Sequence, residues 1–145
     1  MDFKVKRLRQ DAKLPRRSTG GSVGYDLSAC MDRAVTLHPG EIEKIGTGIA
    51  IEIDSGCAAL IFGRSGLGIK HGIVPANAVG VVDSDYRGEV TVGLINHSAV
   101  DYVVEPGERI AQMVLVPVFT PDVTEVDVLG ESERGTGGFG STGTK

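Results

Sequence analysis

Short apolar runs separated by turn residues cover most of this chain. Valine and isoleucine dominate the runs, and glycine, proline, aspartate and asparagine lie between them. The pattern predicts strands over Phe3 to Leu8, Ala34 to Leu37, Ile42 to Ile53 with an interruption at Gly46 or Gly48, Ala58 to Phe62, Val79 to Val82, Val90 to Ile95, Tyr102 to Val104, and Ile110 to Phe119. Amphipathic periodicity of helix length is missing almost everywhere. We therefore predict an all-β fold (a β-sandwich, a jelly roll or a small barrel), and we favour the jelly roll.

One short helical segment is predicted from Arg64 to His71. Ser65 is a residue type that caps helices, whereas Gly66 and Gly68 make the helix intrinsically weak. The free N–H groups at the start of a helix attract anions, so Arg64, Ser65 and Gly66 are candidates for holding a phosphate. A capped turn with an exposed arginine explains the same residues.

Length and charge restrict the classes of protein. The 145 residues suffice for one domain with a proper core, and we assign residues 1–133 to that domain and residues 134–145 to a flexible carboxyl-terminal lid. A formal charge of −4 argues against a broad nucleic-acid-binding surface, which needs clustered Lys and Arg, but leaves room for a small anion held by a few groups. No apolar stretch approaches membrane-spanning length. From the charge we expect no nucleic-acid partner, and from the missing apolar stretch we expect no membrane partner.

The cysteines bear on the compartment. Cys30 and Cys57 lie far apart and lack Cys-x-x-Cys spacing, and their apolar surroundings predict buried, reduced thiols. The first residues lack the apolar segment of a signal peptide. Together these features predict a cytoplasmic protein.

The segment from Gly80 to Val90 places two carboxylates, a tyrosine and an arginine in a turn between two apolar runs. With Gly88 available for the turn backbone, the pattern predicts a β-hairpin that carries chemical groups. A solvated turn with ordinary polar residues is the simplest interpretation. Asp83 argues against it, because this aspartate directly follows an apolar run and should lie at the rim of the buried layer.

The carboxyl end differs in kind from the rest. The segment from Arg134 to Gly143 is too glycine-rich to form a stable element by itself. It contains Gly-x-Gly-x-x-Gly from Gly135 to Gly140, but no strand and helix surround the pattern, so we reject a dinucleotide-binding unit. One arginine, the Phe139 ring and several hydroxyls are the groups needed to cover a phosphorylated ligand with a stackable base. The tail is either a lid that closes on a ligand or a disordered end without function.

Five segments resemble, in order and in spacing, the motifs of the trimeric dUTP pyrophosphatases: Gly24 to Leu27, Gly63 to Gly68, Gly80 to Val90, Gly107 to Gln112, and Arg134 to Gly143. The resemblance covers nearly the whole chain. It implies a homotrimer of jelly rolls that hydrolyses dUTP to dUMP and pyrophosphate with Mg²⁺, which supplies dUMP for thymidylate synthesis and keeps uracil out of DNA. It also implies shared active sites, each built from motifs one, two and four of one subunit, motif three of a second and the tail of a third.

The third motif and the residues around it are implied to bind the nucleoside and to carry the chemistry. By resemblance, Asp83 is the general base that deprotonates the water attacking the α-phosphorus. Tyr86 is implied to pack on the deoxyribose and to leave no room for a 2′-hydroxyl. The uracil edge is implied to be read by one side chain and by strand backbone, at Asn77, Gly80, Val81, Val82 and Thr91.

The first, second and fourth motifs are implied to hold the triphosphate and its metal. By resemblance, Arg64, Ser65 and Gly66 hold phosphate oxygens. Gln112 is implied to bind near the α-phosphate. Asp26 is implied to contact Mg²⁺ through water, which suits a metal that keeps its waters and is held mainly by the triphosphate.

The fifth motif is implied to close over the ligand. By resemblance, Phe139 stacks over the uracil. The γ-phosphate is implied to be neutralised by Arg134, Ser141 and Thr142, together with the backbone of Gly140. Closure of the tail would exclude bulk water and hold the triphosphate in line.

Two alternatives stay open from the sequence. A dCTP deaminase, or the bifunctional enzyme that makes dUMP directly from dCTP, shares the fold and the Arg-Ser motif but does not usually show the Asp-Ser-Asp-Tyr-Arg-Gly turn with this tail. A trimer that binds nucleotide as a sensor is the second alternative, and the loss of Asp83 or of the tail would be its signature. Gly63 stands where the family commonly has proline, which implies a looser approach to Arg64 without a change of reaction.

Overall fold

The computed structural model describes residues 3–138, and within that range the chain forms ten strands and one short helix. The strands are β1 (Phe3–Arg7), β2 (Tyr25–Ser28), β3 (Val35–Leu37), β4 (Ile42–Ile53), β5 (Cys57–Phe62), β6 (Ile73–Pro75), β7 (Gly80–Val82), β8 (Glu89–Asn96), β9 (Tyr102–Val104) and β10 (Arg109–Pro117). The helix α1 (Ser65–His71) lies between β5 and β6. Among these residues, no helix has the length and apolar character needed to cross a bilayer.

The strands form two four-stranded sheets and one small ribbon. One sheet has the order β1-β4-β8-β6, the other has the order β2-β10-β5-β7, and β3 pairs with β9. Every strand pair is antiparallel. Most neighbours within a sheet are distant in sequence, as the long connections of a jelly roll require. The prediction of an all-β jelly roll with one short helical segment is confirmed.

The core is shared by the two larger sheets, and β8 shows how the sequence fills it. Its burial alternates along the whole strand, with Val90, Val92, Leu94 and Asn96 facing inward. Asn96 is fully buried, yet its side-chain amide donates to two backbone carbonyls and its oxygen accepts from Ser98, so no polar atom is left unpaired. The other sheet contributes the buried side chains of Leu27, Ile61, Ile110 and Met113.

Two strands escape prediction from the sequence. The strand β2 carries the polar Asp26 and Ser28 and pairs with β10, while β6 ends in Pro75 and pairs with β8. Both strands are too short to show a clear period-two pattern, and each is completed by pairing with a longer apolar strand. The last strand ends at Pro117 rather than Phe119, because proline lacks the N–H that a ladder needs.

The predicted interruption of β4 is confirmed. The pairing of β4 with β8 shifts between Gly46 and Ala50. Gly48 has φ +68, and a Cβ there would lie 2.6 Å from the sulfur of Cys30 and 2.9 Å from the Cβ of Ala12. Only glycine satisfies both the backbone angle and the close packing, so this position sets the bulge.

The predicted hairpin around Asp83 is wrong. The strand before the turn, β7, pairs with β5, whereas the strand after it, β8, pairs with β4 and β6 in the other sheet. The turn therefore crosses from one sheet to the other. Turn-forming residues in the sequence indicate that the chain changes direction. They do not indicate the partner of each strand, which depends on which long apolar strand lies beside it.

The helix is present, but the serine does not cap it. Ser65 is the first helical residue, Arg64 occupies the N-cap position, and no side chain there caps an N–H group. The helix ends at Gly72, which adopts the left-handed conformation with φ 69 and donates to helix carbonyls. Leu67 is its buried residue, so this weak helix is held by packing at its centre and by a glycine at its end.

Both cysteines are free thiols. Cys30 is buried as predicted, whereas Cys57 is only partly buried. Burial and the neighbouring Asp11 raise the pKa of the Cys30 thiol, which donates a hydrogen bond to Asp11 Oδ1 at 3.5 Å. A thiol in this environment is held in its neutral form.

Candidate active site

A cavity of about 230 Å³, which we call the Tyr86 cavity, lies beside the turn that joins β7 to β8. Its lining combines backbone from both strands with a few polar side chains at the rim. Seven of the residues implicated by the sequence line this one cavity: Asn77, Gly80, Val81, Val82, Asp83, Tyr86 and Thr91. The remaining lining residues are Ile61, Pro75, Glu89, Val90, Val92 and Gly93.

The strand edges at this cavity are open. Within residues 3–138, β7 is the outer strand of its sheet and has β5 as its only strand partner. The pairing of β6 with β8 begins only at Leu94, so β8 residues nearer the turn have no strand partner on that side. Backbone N–H and C=O groups that no strand uses are available to a planar ligand with complementary donors and acceptors.

Asn77 reaches the cavity through a strained turn. Ala78 has φ 62, the one positive value among the non-glycine residues that the structure describes, and the N–H of Val79 donates to the carbonyl of Asn77 at 2.7 Å. An alanine in this conformation costs energy that the surrounding packing must offset, and such strain concentrates at functional sites. Gly80 follows, and its missing side chain allows Ile61 to pack within 3.1 Å of where a Cβ would be.

The turn itself is closed by its own backbone and one arginine. The N–H of Tyr86 donates to the carbonyl of Asp83 at 3.2 Å, and Arg87 Nη1 donates to the carbonyls of Ser84 at 2.7 Å and Tyr86 at 3.0 Å. The Asp83 carboxylate is exposed to water at the rim of the cavity. An exposed carboxylate on a rigid turn can orient a water molecule and accept its proton.

The Tyr86 ring is fixed from two sides. Its hydroxyl donates to the carbonyl of Glu89 at 3.0 Å, and the side chain stays 45% exposed. A Cβ on Gly88 would lie 2.4 Å from that hydroxyl, so only glycine fits beneath the ring. This hydrogen bond and this contact therefore orient an aromatic face at the cavity.

A second group of predicted residues lies around Asp26. Its Oδ1 accepts from Arg64 Nε at 3.2 Å and its Oδ2 accepts from Arg109 Nη1 at 2.9 Å, with Ser18 Oγ at 3.2 Å from Oδ2. The Asp26 side chain is 18% exposed, against 53% for Arg109. The arrangement holds two guanidinium groups close together by means of one shared carboxylate. We call Asp26, Arg64 and Arg109 the arginine cluster.

Two further hydrogen bonds join the motifs around this cluster. Arg64 Nη1 donates to the carbonyl of Arg109 at 2.9 Å, and Gln112 Nε2 donates to the carbonyl of Gly63 at 2.9 Å. A Cβ on Gly24 would lie 2.4 Å from Gln112 Oε1, so the glutamine side chain covers that glycine. Segments from the first, second and fourth motifs therefore meet at one place, next to the exposed helix start at Ser65 and Gly66.

A larger cavity of about 640 Å³ borders the arginine cluster. Cationic side chains outnumber the carboxylates Asp26 and Glu108 in its lining, and Asp26 is already paired with two arginines. Glu108 is also engaged, because Tyr102 Oη donates to its Oε1 at 2.5 Å and the Glu105 N–H donates to its Oε2 at 3.0 Å. The surplus positive charge suits an anion. The cationic lining residues are Lys13, Arg16, Arg17 and Arg109.

The two groups of predicted residues do not meet. The lining of the Tyr86 cavity contains neither a member of the arginine cluster nor Gln112. The arginine cluster likewise has no hydrogen bond or ion pair to the turn at 83–88 among the described residues. One chain therefore carries the two parts at separate places.

The tail lies mostly outside the described residues. Arg134 is exposed, and its carbonyl accepts from the N–H of Gly137 at 3.1 Å. The other predicted tail residues, Phe139, Gly140, Ser141 and Thr142, lie outside residues 3–138. Their roles, and the division of the chain at residue 133, stay predictions.

Two residues of the site were given no role by the sequence analysis. Arg109 was quoted within the fourth motif, and the signal that could have singled it out is a charged residue at the start of a buried strand, where it needs a partner. Glu89 lines the Tyr86 cavity and follows Gly88 directly, at the first position of β8. Its signal is a carboxylate at the start of an apolar strand, next to the motif turn.

The donors present bear on a metal. Among residues 3–138, no group of three or more His, Cys, Asp or Glu side chains lies close enough together to hold an ion directly. Both oxygens of Asp26 accept hydrogen bonds from arginine, yet a carboxylate has further lone pairs that can accept from a metal-bound water. The residues therefore fit Mg²⁺ that is held mainly by a ligand's phosphates and keeps its waters, and they do not fit direct ligation by the protein.

Comparison with known proteins identifies the family. Residues 10–143 match the dUTPase family model. The chain is 50% identical to the deoxyuridine 5′-triphosphate nucleotidohydrolase of Desulfitobacterium hafniense over 97% of this chain and 95% of the relative. It is 51% identical to that of Burkholderia cenocepacia over 99% of this chain and 97% of the relative.

A solved structure agrees in shape as well as in sequence. The Staphylococcus bacteriophage 80alpha dUTPase with dUPNHPP superimposes with a TM-score of 0.90 and 30% identity, and the alignment covers 98% of each chain. A cavity with an aromatic rim, an arginine cluster around a carboxylate, the family model and relatives at half identity all point the same way. The chain belongs to the dUTPase family.

Proposed function

We propose that this protein hydrolyses dUTP to dUMP and pyrophosphate with Mg²⁺ as cofactor. The observation that carries the proposal is the Tyr86 cavity, where two open strand edges, one aromatic face and one exposed carboxylate converge. The relatives named above are deoxyuridine triphosphate nucleotidohydrolases, and the phage enzyme was solved with dUPNHPP. Such a reaction would supply dUMP and keep uracil out of DNA.

Base selection rests on the strand edges. Uracil presents two carbonyl acceptors and one N–H donor on one edge, and the backbone at Gly80, Val82 and Thr91 offers a fixed set of complementary groups. Cytosine reverses part of that pattern and would leave a buried group unpaired, which costs about 1 to 3 kcal/mol. Asn77 at the rim and the backbone of Val81 complete the recognition.

Sugar selection rests on Tyr86. The hydrogen bond to the carbonyl of Glu89 and the contact with Gly88 oppose the movement of the ring that an additional hydroxyl group would require. Deoxyribose packs on its face, whereas the 2′-hydroxyl of ribose meets the ring. The discrimination is therefore steric, and it depends on how rigidly the ring is held.

Asp83 acts as the general base. Its exposed carboxylate accepts a proton from a water molecule, the water oxygen attacks the α-phosphorus, and the bond to the bridging oxygen of the β-phosphate breaks. Pyrophosphate leaves with that oxygen, and dUMP keeps the new one. The turn hydrogen bonds around Asp83 hold the carboxylate without using it.

The phosphate chain is held by the second part of the site. Arg64, Ser65 and Gly66 bind phosphate oxygens at the helix start, and Gln112 binds near the α-phosphate. When bound, Mg²⁺ supplies positive charge that neutralises the triphosphate. Asp26 would hold the metal through water, and its carboxylate keeps Arg64 and Arg109 close together.

The tail closes the site in this proposal. Phe139 stacks on the uracil, and Arg134, Ser141 and Thr142 with the Gly140 backbone bind the γ-phosphate. An arginine brought to developing phosphate charge stabilises the transition state, and closure excludes bulk water.

A homotrimer accounts for the separation within one chain. Because the Tyr86 cavity and the arginine cluster lie at different places, a complete site needs the cavity of one subunit and the cluster of another. The exposed apolar side chains of the segment after β10, including Phe119 at 98% exposure, suit contact with neighbouring subunits.

Free cysteines fit a cytoplasmic location.

The test is pyrophosphate release from dUTP, dCTP, dTTP and UTP with Mg²⁺, with ammonia followed in the dCTP reaction. Release from dUTP alone is expected. Ammonia from dCTP would instead indicate a deaminase of the same fold, and binding of dUTP without any release would indicate a nucleotide sensor. Sedimentation of the same sample measures whether the chain is a trimer.

A further inference from the structure

The segment of β4 opposite the start of β8 is irregular. Gly46 pairs with Thr91 and Ala50 pairs with Glu89, so residues 47–49 stand opposite residue 90 alone. The N–H groups of this bulged segment have lost the regular ladder on that side. Gly48 is buried, so its N–H needs another acceptor.

The side chain of Glu89 supplies that acceptor. Glu89 Oε1 accepts the N–H of Gly48 at 2.7 Å. A Cβ on Gly46 would lie 2.6 Å from the same oxygen, so the carboxylate occupies the space that a side chain would take. Thr47 Oγ1 donates to the carbonyl of Val90 at 2.5 Å and fastens the next residue of β8. The carboxylate thus replaces one hydrogen bond that the irregular pairing leaves out.

The backbone of the same residue holds Tyr86. The carbonyl of Glu89 accepts from the Tyr86 hydroxyl at 3.0 Å, and Gly88 leaves no free space beneath that hydroxyl. Any movement of the first residue of β8 relative to β4 therefore moves the point to which the ring is attached. Glu89 also lines the Tyr86 cavity, so the residue that fills the bulge borders the cavity that the ring faces.

We propose that Glu89 is a positioning residue for sugar selection: by filling the β4 bulge with its carboxylate, it fixes the carbonyl that holds the Tyr86 ring against the deoxyribose. The inference rests on the proposed function, because it presumes that the ring meets the sugar. Glu89 needs no contact with the nucleotide for this role. What matters is its acceptor oxygen and not its charge.

That distinction gives the test. Glu89→Gln keeps an oxygen in the Oε1 position, whereas Glu89→Ala leaves the Gly48 N–H without an acceptor. The readout is the ratio of kcat/KM for dUTP to kcat/KM for UTP, which a loss of stability alone does not change in the folded fraction. We expect Glu89→Ala to lower this ratio about tenfold and Glu89→Gln to keep it within about threefold of the unmodified protein.

A second variant covers the case in which Glu89→Ala does not fold. Tyr86→Phe removes the hydroxyl from an exposed ring without changing the bulge, and it should lower the same ratio about tenfold. In the double variant that combines Glu89→Ala with Tyr86→Phe, the two decreases in the ratio should not multiply. Both changes act through the hydrogen bond from the Tyr86 hydroxyl to the carbonyl of Glu89. Far-ultraviolet circular dichroism and thermal unfolding report whether each variant is folded.

The outcomes separate the inference from the function beneath it. No dUTP hydrolysis by the unmodified protein would refute the proposed function. Hydrolysis without preference over UTP would refute the role of the ring. A selective enzyme whose ratio is unchanged in folded Glu89→Ala or in Tyr86→Phe would overturn the inference, and so would a Glu89→Gln variant as unselective as Glu89→Ala, since that result would require the charge.

Discussion

The Tyr86 cavity and the arginine cluster are both assembled from short motifs, but different groups face the ligand. In the cavity, backbone edges and one fixed ring define a shape, and close glycine contacts leave the strands little room to relax. In the cluster, side chains carry the charge, and Asp26 holds Arg64 and Arg109 together without a ligand. The first part is suited to selection by shape and hydrogen-bond pattern, whereas the positive charge of the second would attract polyphosphates without regard to the nucleoside.

This difference divides the work of the proposed reaction. Specificity belongs to the cavity, because unpaired backbone groups and steric contact penalise the wrong base or sugar. Affinity for the phosphate chain belongs to the cluster, because charge attracts phosphate regardless of the nucleoside. Changes in the two parts should therefore have separable effects on turnover, binding and selectivity.

The largest effect is expected from Asp83→Asn. The amide keeps the size of the side chain but cannot accept the proton from water, so kcat should fall about 10³-fold while dUTP binding stays within about threefold. Pyrophosphate release and calorimetric titration with a non-hydrolysable analogue measure the two quantities. Asp85→Asn, in the same exposed turn, is the matched control and should keep its activity. An active Asp83→Asn variant would show that the base is elsewhere.

Removal of residues 134–145 should have the next largest effect. The proposed lid stabilises charge that develops in the transition state, so kcat should fall about 10²-fold. Sedimentation should still show the oligomer of the full chain, because the core lies within earlier residues. Dissociation into monomers would instead mean that the tail is structural.

A smaller effect is expected in the arginine cluster. Arg109→Gln removes a charge-assisted hydrogen bond to Asp26 and one cation from the phosphate side, so dUTP affinity should weaken about tenfold more than dUMP affinity. The dUTP-to-UTP ratio should not change, because the cavity is untouched. Arg7→Gln, an exposed cation on β1, is the control. Equal losses for dUTP and dUMP would contradict the division between the two parts.

The smallest effect is expected from an exposed ion pair remote from both parts. His38 Nδ1 lies 2.8 Å from Asp101 Oδ1, and this hydrogen bond raises the pKa of His38 above its usual value. Because the folded pKa is raised, the stabilisation is present below the pKa of the unfolded chain and is lost as pH rises through the folded pKa. His38→Gln should thus lower the melting temperature slightly at pH 5.5 and not at pH 8.5. Equal shifts at both pH values would show that the charge is irrelevant.

Several features of this molecule could be predicted from local sequence. The strands with alternating apolar residues, such as β8, and the interruption of β4 at a glycine follow from periodicity and backbone freedom. The resemblance to the family named seven of the residues that line the Tyr86 cavity, and these seven lie within 15 positions of one another, from Asn77 to Thr91. A short segment is brought together by its own turn, whatever the rest of the chain does.

Other features depended on partners that the sequence does not specify locally. The strands β2 and β6 are too short to show a clear strand pattern, and their ladders are formed with β10 and β8, which lie far away in sequence. The prediction that Ser65 caps the helix was wrong because Arg64 occupies the N-cap position. The Arg64 side chain donates a hydrogen bond to Asp26 there. Local propensity is worth tenths of a kcal/mol, about the size that one tertiary contact can reverse.

The sequence by itself therefore determined the fold class and the elements with strong periodicity, because these follow from side-chain type and spacing, and its resemblance to the family supplied the candidate site residues. The tertiary structure alone decided which strands pair, and so placed β7 and β8 in different sheets with a cavity between them. It also decided that Glu89 fills the bulge behind Tyr86 and that Asp26 holds two arginines. Such contacts join residues up to 83 positions apart, as Asp26 and Arg109 are, and no local pattern encodes which distant partner will be near.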